Sequence, residues 1–350
     1  MTPKLKLCGW KGWALVAAAF LTASCAPAYK ARFDMTSSRG IVWPGKPEKP
    51  RVVYLWSLQD VAGEQGKGGL LAAAAGEEEV SDPQRSPVLL RPQGVYADEE
   101  RLYVADPGAG RVTVVDRKTM DVMQILDTDT VSLSYPLSVV ASQDGTIFVS
   151  DADLGKVIAY SPGGKFLRYF EGEIQRPAGL AIDRRRGIVY VVDTMGHTVY
   201  RYGTDGKRLG SIGRRGEGDG EFNYPTYAFA DRKGQLYVTD FLNFRVQMFH
   251  PDGTFAGKLG LQGDSYDALD KPKGVAADSE GNIYIVDDGK DMVKIFDREG
   301  RLLLFFGGTG HGYGDFYLPT GIFIDDKNMI YVADTVNMRI QAFQLLGGNQ

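Results

Sequence analysis

One feature constrains this chain more than any other: from residue 91 onward a single pattern of about 45 residues recurs six times. Each unit opens on a proline, in five of the six two places before a glycine or small residue. These prolines are Pro92, Pro136, Pro177, Pro225, Pro272 and Pro319, spaced 41 to 48 residues apart. An apolar stretch follows, then a turn, then a second apolar run ending in Asp106, Asp151, Asp193, Asp240, Asp287 or Asp334. A third run, a turn and a fourth run complete the unit; the turns include Thr204-Asp205-Gly206 and Pro251-Asp252-Gly253. The runs are short and rich in β-branched and aromatic residues, and glycine supplies the positive φ that tight hairpins need. The 44 glycines, about one residue in eight against a usual ~7%, fit many such turns. The pattern predicts four strands per unit and no persuasive helix.

The count closes on a detail at the chain ends. The sixth unit runs out at residues 341–346 without a fourth strand, while an orphan apolar run occupies residues 51–57. The expected fold is therefore all-β: a six-bladed β-propeller over residues 88–346, whose last blade is completed by the N-terminal run. Such a clasp leaves no open sheet edge between blades. Residues 58–87, which include a Gly-rich stretch, an LLAAAA run and an acidic cluster, are expected as a flexible insertion on the face of the inter-blade loops.

These units resemble the NHL repeat family, most closely in the fourth (residues 224–255), then in the fifth and sixth. The name-giving Asn-His pair is degenerate here: Gly196-His197, Asn243-Phe244 and Asn337-Met338. The resemblance implies the propeller fold. It implies little about function, because one scaffold carries many activities.

The N-terminus reads as an address. Lys4, Lys6 and Lys11 precede the apolar run at residues 14–21, and small residues lead to Cys25. This is the layout of a signal peptide over residues 1–24, too short in its apolar part to span a bilayer. A cysteine at that place resembles a bacterial lipobox, which implies lipidation of Cys25. Thr22 departs from the Leu usual in the motif, and Ala26 favours the outer membrane of a Gram-negative envelope. Residues 25–50, with Pro44, Pro47 and Pro50, are expected as an extended tether.

Charge and composition exclude several functions. The formal charge is -4, and only Cys8 and Cys25 are cysteine. A net acidic chain is a poor match for nucleic acid, and the body has no thiolate metal site and no disulfide. The six strand-end Asp residues read as caps for the loops that follow them. Five places beyond them stand Arg111, Lys156, Thr198, Arg245, Met292 and Arg339. Asp–Arg bridges explain four basic residues in six; a binding rim formed by Arg111, Lys156, His197, Arg245 and Arg339 is the functional alternative. A second acidic set, Asp98, Asp183, Asp231, Asp278 and Asp325, reads as turn chemistry. NHL propellers also resemble zinc-dependent lyases with several histidines, but His197, His250 and His311 are too few and too dispersed to meet at one tetrahedral ion. No catalytic or cofactor-binding residue and no cofactor is assigned, although a channel Ca or Zn ion remains compatible with a lyase or hydrolase. The leading expectation is an envelope-anchored scaffold that binds a protein, peptide or other ligand on its loop-rich face.

Overall fold

The β-branched runs form the strands their pattern implies, and turn glycines join them. Gly253, at φ +94°, closes one of the third-to-fourth hairpins. The computed structural model describes residues 29–35, 40–63, 89–263 and 265–346. The described residues carry no α-helix; their one helical element is a 3-10 turn at Phe241–Asn243. No helix among them is long and apolar enough to cross a membrane.

Four of the repeats form separate four-stranded antiparallel sheets. Their first strands are β8 (Pro136–Ala141), β12 (Pro177–Asp183), β16 (Pro225–Ala230) and β20 (Pro272–Ala277). In each, the opening proline pairs with the terminal Asp of the second strand, and the register then shifts: Pro177 faces Asp193, Pro225 faces Asp240 and Pro272 faces Asp287. The shared bulge is the structural form of the proline-to-Asp spacing in the sequence. Second strands are buried along their length, while fourth strands alternate half-buried with exposed. The middle of each sheet is thus packed on both faces and its outer edge meets solvent.

The first and last repeats share one larger sheet. The first repeat supplies β4 (Gly94–Ala97), β5 (Arg101–Asp106), β6 (Arg111–Asp116) and β7 (Asp121–Ile125). The last supplies β24 (Pro319–Ile324), β25 (Met329–Asp334) and β26 (Arg339–Leu345). Between them run β1 (Tyr29–Asp34) and β3 (Val52–Gly63). β3 pairs antiparallel with β26, with Leu58 opposite Ile340 and Val52 opposite Leu345. β1 then pairs with β3 on one side and with β7 on the other, which ties the last repeat to the first. The short strand β2 (Val42–Trp43) adds to β3.

Two boundaries therefore differ from the sequence reading. The N-terminal strand extends past residues 51–57 to Gly63, because β1 gives its second half a partner. The stretch 25–50, expected as an extended tether, contains β1 and β2. Its aromatic residues explain the docking: Phe33 lies edge-on to Trp56 at 4.5 Å, and Trp43 packs against Phe306 and Phe343 at 5.7 and 5.8 Å. Residues 64–88, the main part of the expected insertion, lie outside the described residues, as do Cys25 and the leader.

The first strands are neighbours in chain order: β4, β8, β12, β16, β20 and β24, with β24 returning to β4. They approach so closely that glycine is required. A Cβ on Gly274 would stand 2.6 Å from the Thr320 carbonyl oxygen, and one on Gly321 would run into the Gln93 carbonyl oxygen. The obstacle is backbone in both cases, so it cannot swing aside. Gly321→Val should cost about 1–3 kcal/mol, the usual range for overpacking, whereas Gly308→Ala, with nothing within 4 Å of its Cβ position, should be near neutral. Urea unfolding of the two variants checks this.

Candidate functional site: the mouth of the central channel

The strand-end carboxylates are hubs. Asp106 accepts from the Leu90 and Arg91 amides at 2.7 and 2.8 Å, Asp193 from Gln175 and Arg176 at 2.9 Å each, and Asp334 from Tyr317 at 2.8 Å. The amides belong chiefly to the loop before the repeat, fifteen to eighteen residues upstream. The sequence reading placed them in the loop after the Asp. Only some come from there, such as Gly196 to Asp193 at 3.0 Å. The bulge explains the difference, since it holds the opening proline directly opposite the Asp.

The basic residues serve these hubs. Arg245 Nε donates to Asp240 and Arg339 Nε to Asp334, both at 2.7 Å and both almost wholly buried. Their remaining N–H groups reach the carbonyls of the glycine-rich inter-repeat loops: Arg245 to Glu217, Gly218 and Glu221, and Arg339 to His311, Gly312 and Asp315. In the fifth repeat, Met292 takes the Arg position and Lys294 supplies the cation from the same strand face, 2.8 Å from Asp287. Arg111 is fully buried, opposite Asp106 in the strand register, and Lys156 is half-buried. His197 is buried; its Nδ1 accepts the Tyr224 amide at 3.2 Å, and its ring lies edge-on to Tyr224. Arg111, His197, Arg245 and Arg339 are therefore internal struts, and the structure does not assemble them into an exposed rim.

The second acidic set is turn chemistry with an addition the sequence reading missed. Asp98 caps the Glu100 and Arg101 amides and also accepts the Tyr103 hydroxyl at 2.9 Å. Asp278 with Tyr284 and Asp325 with Tyr331 repeat the arrangement. Burial, aided by the Asp, pushes these phenols well above their ordinary range. The signal was the tyrosine three places before most strand-end Asp residues.

The residues that face open space stand elsewhere. The close-packed first strands enclose a narrow channel, and at the end where those strands begin it widens to a pocket of about 190 Å³. Tyr135, Arg176, Thr194, Thr226, Tyr227 and Lys273 line it. At the other end Tyr96, Phe229 and Phe323 meet at ring separations of 4.6 and 5.9 Å, and the channel holds only about 40 Å³ there. The channel is thus wider at one end and narrowed by aromatic rings at the other.

The mouth is polar and electrostatically strained. Burial lowers the Lys273 ammonium below its ordinary pKa, although Asp288 opposes the shift. Its Nζ sits 4.5 Å from the centre of the Phe241 ring. Burial raises Asp288, against the pull of Lys273 and Lys271. One Asp288 carboxylate oxygen and the Thr226 hydroxyl are buried without a hydrogen-bond partner. Burial also raises the Tyr227 phenol, while its bond with Thr320 opposes the rise. A shifted lysine in the lining, with Asp288 close enough to oppose its shift, marks a site able to hold a charged ligand or move a proton.

Sequence reasoning missed this group, yet it left a trace. Tyr227 occupies the place held by Gly94, Gly179, Gly274 and Gly321, so a phenol fills space that glycine leaves empty elsewhere. Lys273 directly follows an opening proline, and Asp288 directly follows a strand-end Asp. The three histidines stay apart: His197 is buried, His311 bonds Asn337 at 2.6 Å, and His250 is exposed at a third-to-fourth turn. No group of three or more His, Cys, Asp or Glu among the described residues is placed to hold a metal.

The hub geometry makes a graded prediction. Arg339→Met leaves Asp334 buried without its cation and should cost about 3–5 kcal/mol. Lys258→Ala breaks the exposed bridge to Asp219 and should cost less than about 1 kcal/mol. Chemical denaturation of both variants measures the contrast.

Known proteins agree with the fold. The NHL repeat model matches residues 316–343. Solved structures of similar fold include a streptogramin B lyase, 14% identical, covering 73% of this chain and 93% of that one at a TM-score of 0.55. Virginiamycin B lyase from Staphylococcus aureus is similar at 14% identity, with 73% and 95% covered and a TM-score of 0.54. An auxiliary nutrient binding protein from Bacteroides thetaiotaomicron matches at 14% identity, 72% and 68% covered, with a TM-score of 0.58. The sequence matches no curated protein. The repeated four-stranded sheets and these neighbours make the fold a β-propeller, and residues 316–343 match the NHL repeat.

Proposed function

We propose that this protein is a binding scaffold of the bacterial cell envelope, a six-bladed propeller closed by its N-terminal strand, which holds an anionic ligand at the channel mouth. The ligand is a small molecule or the carboxylate-bearing end of a peptide or envelope protein. The observation that carries the reading is the pocket of about 190 Å³ at the wider end of the channel, lined by Arg176 and Lys273 among hydroxyl groups. Two cations and several hydroxyls suit a carboxylate or phosphate. The burial cost on Lys273 is relieved when an anion arrives, so binding and charge are coupled. The pairing of β3 with β26 supports the six-bladed closure. The leader and Cys25 support export and a lipid anchor, with the outer membrane as destination. A nutrient binding protein among the fold neighbours is consistent with a scaffold role.

The second reading is a lyase or hydrolase with a metal-assisted site in the channel, favoured by the lyases among the neighbours and by the opposite pKa shifts of Lys273 and Asp288. Turnover abolished by a chelator would establish it in place of the scaffold.

A titration discriminates. Phosphate and short dicarboxylates should raise the melting temperature of the wild type, and Lys273→Met should weaken their binding about tenfold or more, the loss of one charged hydrogen bond. Affinity should fall on the alkaline side at a pH below 10.5, the ordinary lysine value, because the ammonium that attracts the anion is lost there. Lys273→Arg should move that fall to higher pH. Anion binding indifferent to both substitutions would remove the proposed site.

A further inference from the structure

We infer that Tyr227 sets the specificity of the anion site: its ring closes an apolar shaft beneath the mouth, so the site takes short polar anions and turns away those that carry an alkyl tail. This deepens the anion-binding reading above and rests on it.

The repeat defines the level of the closure. Two places after the opening prolines stand Gly94, Ser138, Gly179, Tyr227, Gly274 and Gly321. Backbones meet closely here. A Cβ on Gly179 would lie 2.7 Å from the Tyr227 Cα, and one on Gly94 would lie 2.6 Å from the Leu137 carbonyl oxygen. Four of the six positions have no side chain. The Ser138 hydroxyl is short and taken up locally, accepting the Leu180 amide at 3.1 Å. Tyr227 is therefore the one long side chain that this level supplies.

Its ring has a defined place. Tyr227 lines both the mouth pocket of about 190 Å³ and the inner cavity of about 40 Å³, so it stands between them. The phenol bonds Thr320, which belongs to the sixth repeat. Thr320 is held in turn, its hydroxyl 2.8 Å from that of Thr335, and Thr335 donates to the Pro92 carbonyl at 2.8 Å. Each hydroxyl has one proton to give. With Thr335 donating to backbone, Thr320 donates to Thr335 and Tyr227 to Thr320. The relay fastens a ring from the fourth repeat to the wall of the sixth.

Two compartments of different chemistry result. Arg176, Lys273 and hydroxyl groups line the mouth. Val95, Val139, Leu180, Val275 and Ile322 surround the inner cavity, and none of the described residues lining it is charged. Such a shaft suits a hydrocarbon tail, since each methylene withdrawn from water raises affinity about fourfold. With the ring in place the shaft is cut off, and an anion held at the mouth projects any tail into solvent.

Calorimetric titration of straight-chain carboxylates from acetate to octanoate tests this on the wild type, Tyr227→Gly and Tyr227→Phe. Glycine is what four other repeats place here, so the strand accommodates it; Tyr227→Ser, the choice of the second repeat, replaces it if melting curves show a misfolded chain. Wild-type affinity should not rise with chain length. Tyr227→Gly should gain about fourfold per methylene over the first carbons beyond butyrate, and Tyr227→Phe, which keeps the ring, should restore the flat profile. Wild-type affinity that climbs with chain length, or a glycine variant as flat as the wild type, overturns the inference. If neither acetate nor phosphate binds the wild type, the anion site itself falls, and neutral hexanol carries the test of the closure alone. Hexanol should bind Tyr227→Gly and not the wild type; equal binding to both, or to neither, overturns the closure.

Discussion

The backbone ladder between β3 and β26 is the interaction on which the rest of the structure depends. Every other sheet is completed by strands adjacent in sequence. In the last repeat, β26 pairs with β3 from the opposite end of the chain, nearly three hundred residues away. Loop closure over that length carries a large entropic cost, and the ladder, the buried Tyr54 and Leu58 side chains and the aromatic contacts of Trp43 offset it. β1 reinforces the join by pairing with both end repeats. The close approach of the Gly321 backbone to Gln93, which shapes the channel, occurs at this seam.

Around that seam the polar groups divide the work. Each strand-end Asp gathers loop amides, and an Arg or Lys from the third strand neutralises several of them. Buried charges of this kind stabilise little in net terms, but losing one partner is expensive, so they fix one arrangement of the loops. The mouth residues follow no such rule. Lys273 and Asp288 belong to one repeat only, and their burial costs are not met by a direct ion pair between them. A site with a function is where a regular repeat departs from its own pattern.

Much of the fold was legible in the sequence, because each strand boundary carries a residue with a local physical role. Proline opens the first strand, Asp ends the second and glycine turns the hairpin, and the opening prolines recur every 41 to 48 residues. The tether was misread for the opposite reason. The segment YKARFD has weak alternation and short length, and its partners β3 and β7 are distant in sequence, so no local signal marks it as a strand. The basic residues after the Asp were visible as a pattern, but spacing alone could not say whether they point inward. Burial settles that for Arg111, Arg245 and Arg339. Tyr227 was visible only as an exception, a large residue where the other units place glycine or serine.

The most direct measurement is equilibrium unfolding of two truncated chains, one lacking residues 1–28 and one lacking residues 1–63. If the terminal ladder holds the disc together, the first chain unfolds in one cooperative transition like the parent. The second should lose that single transition, with a lower midpoint and a smaller dependence on denaturant. Two chains with the same midpoint and the same slope would contradict the account.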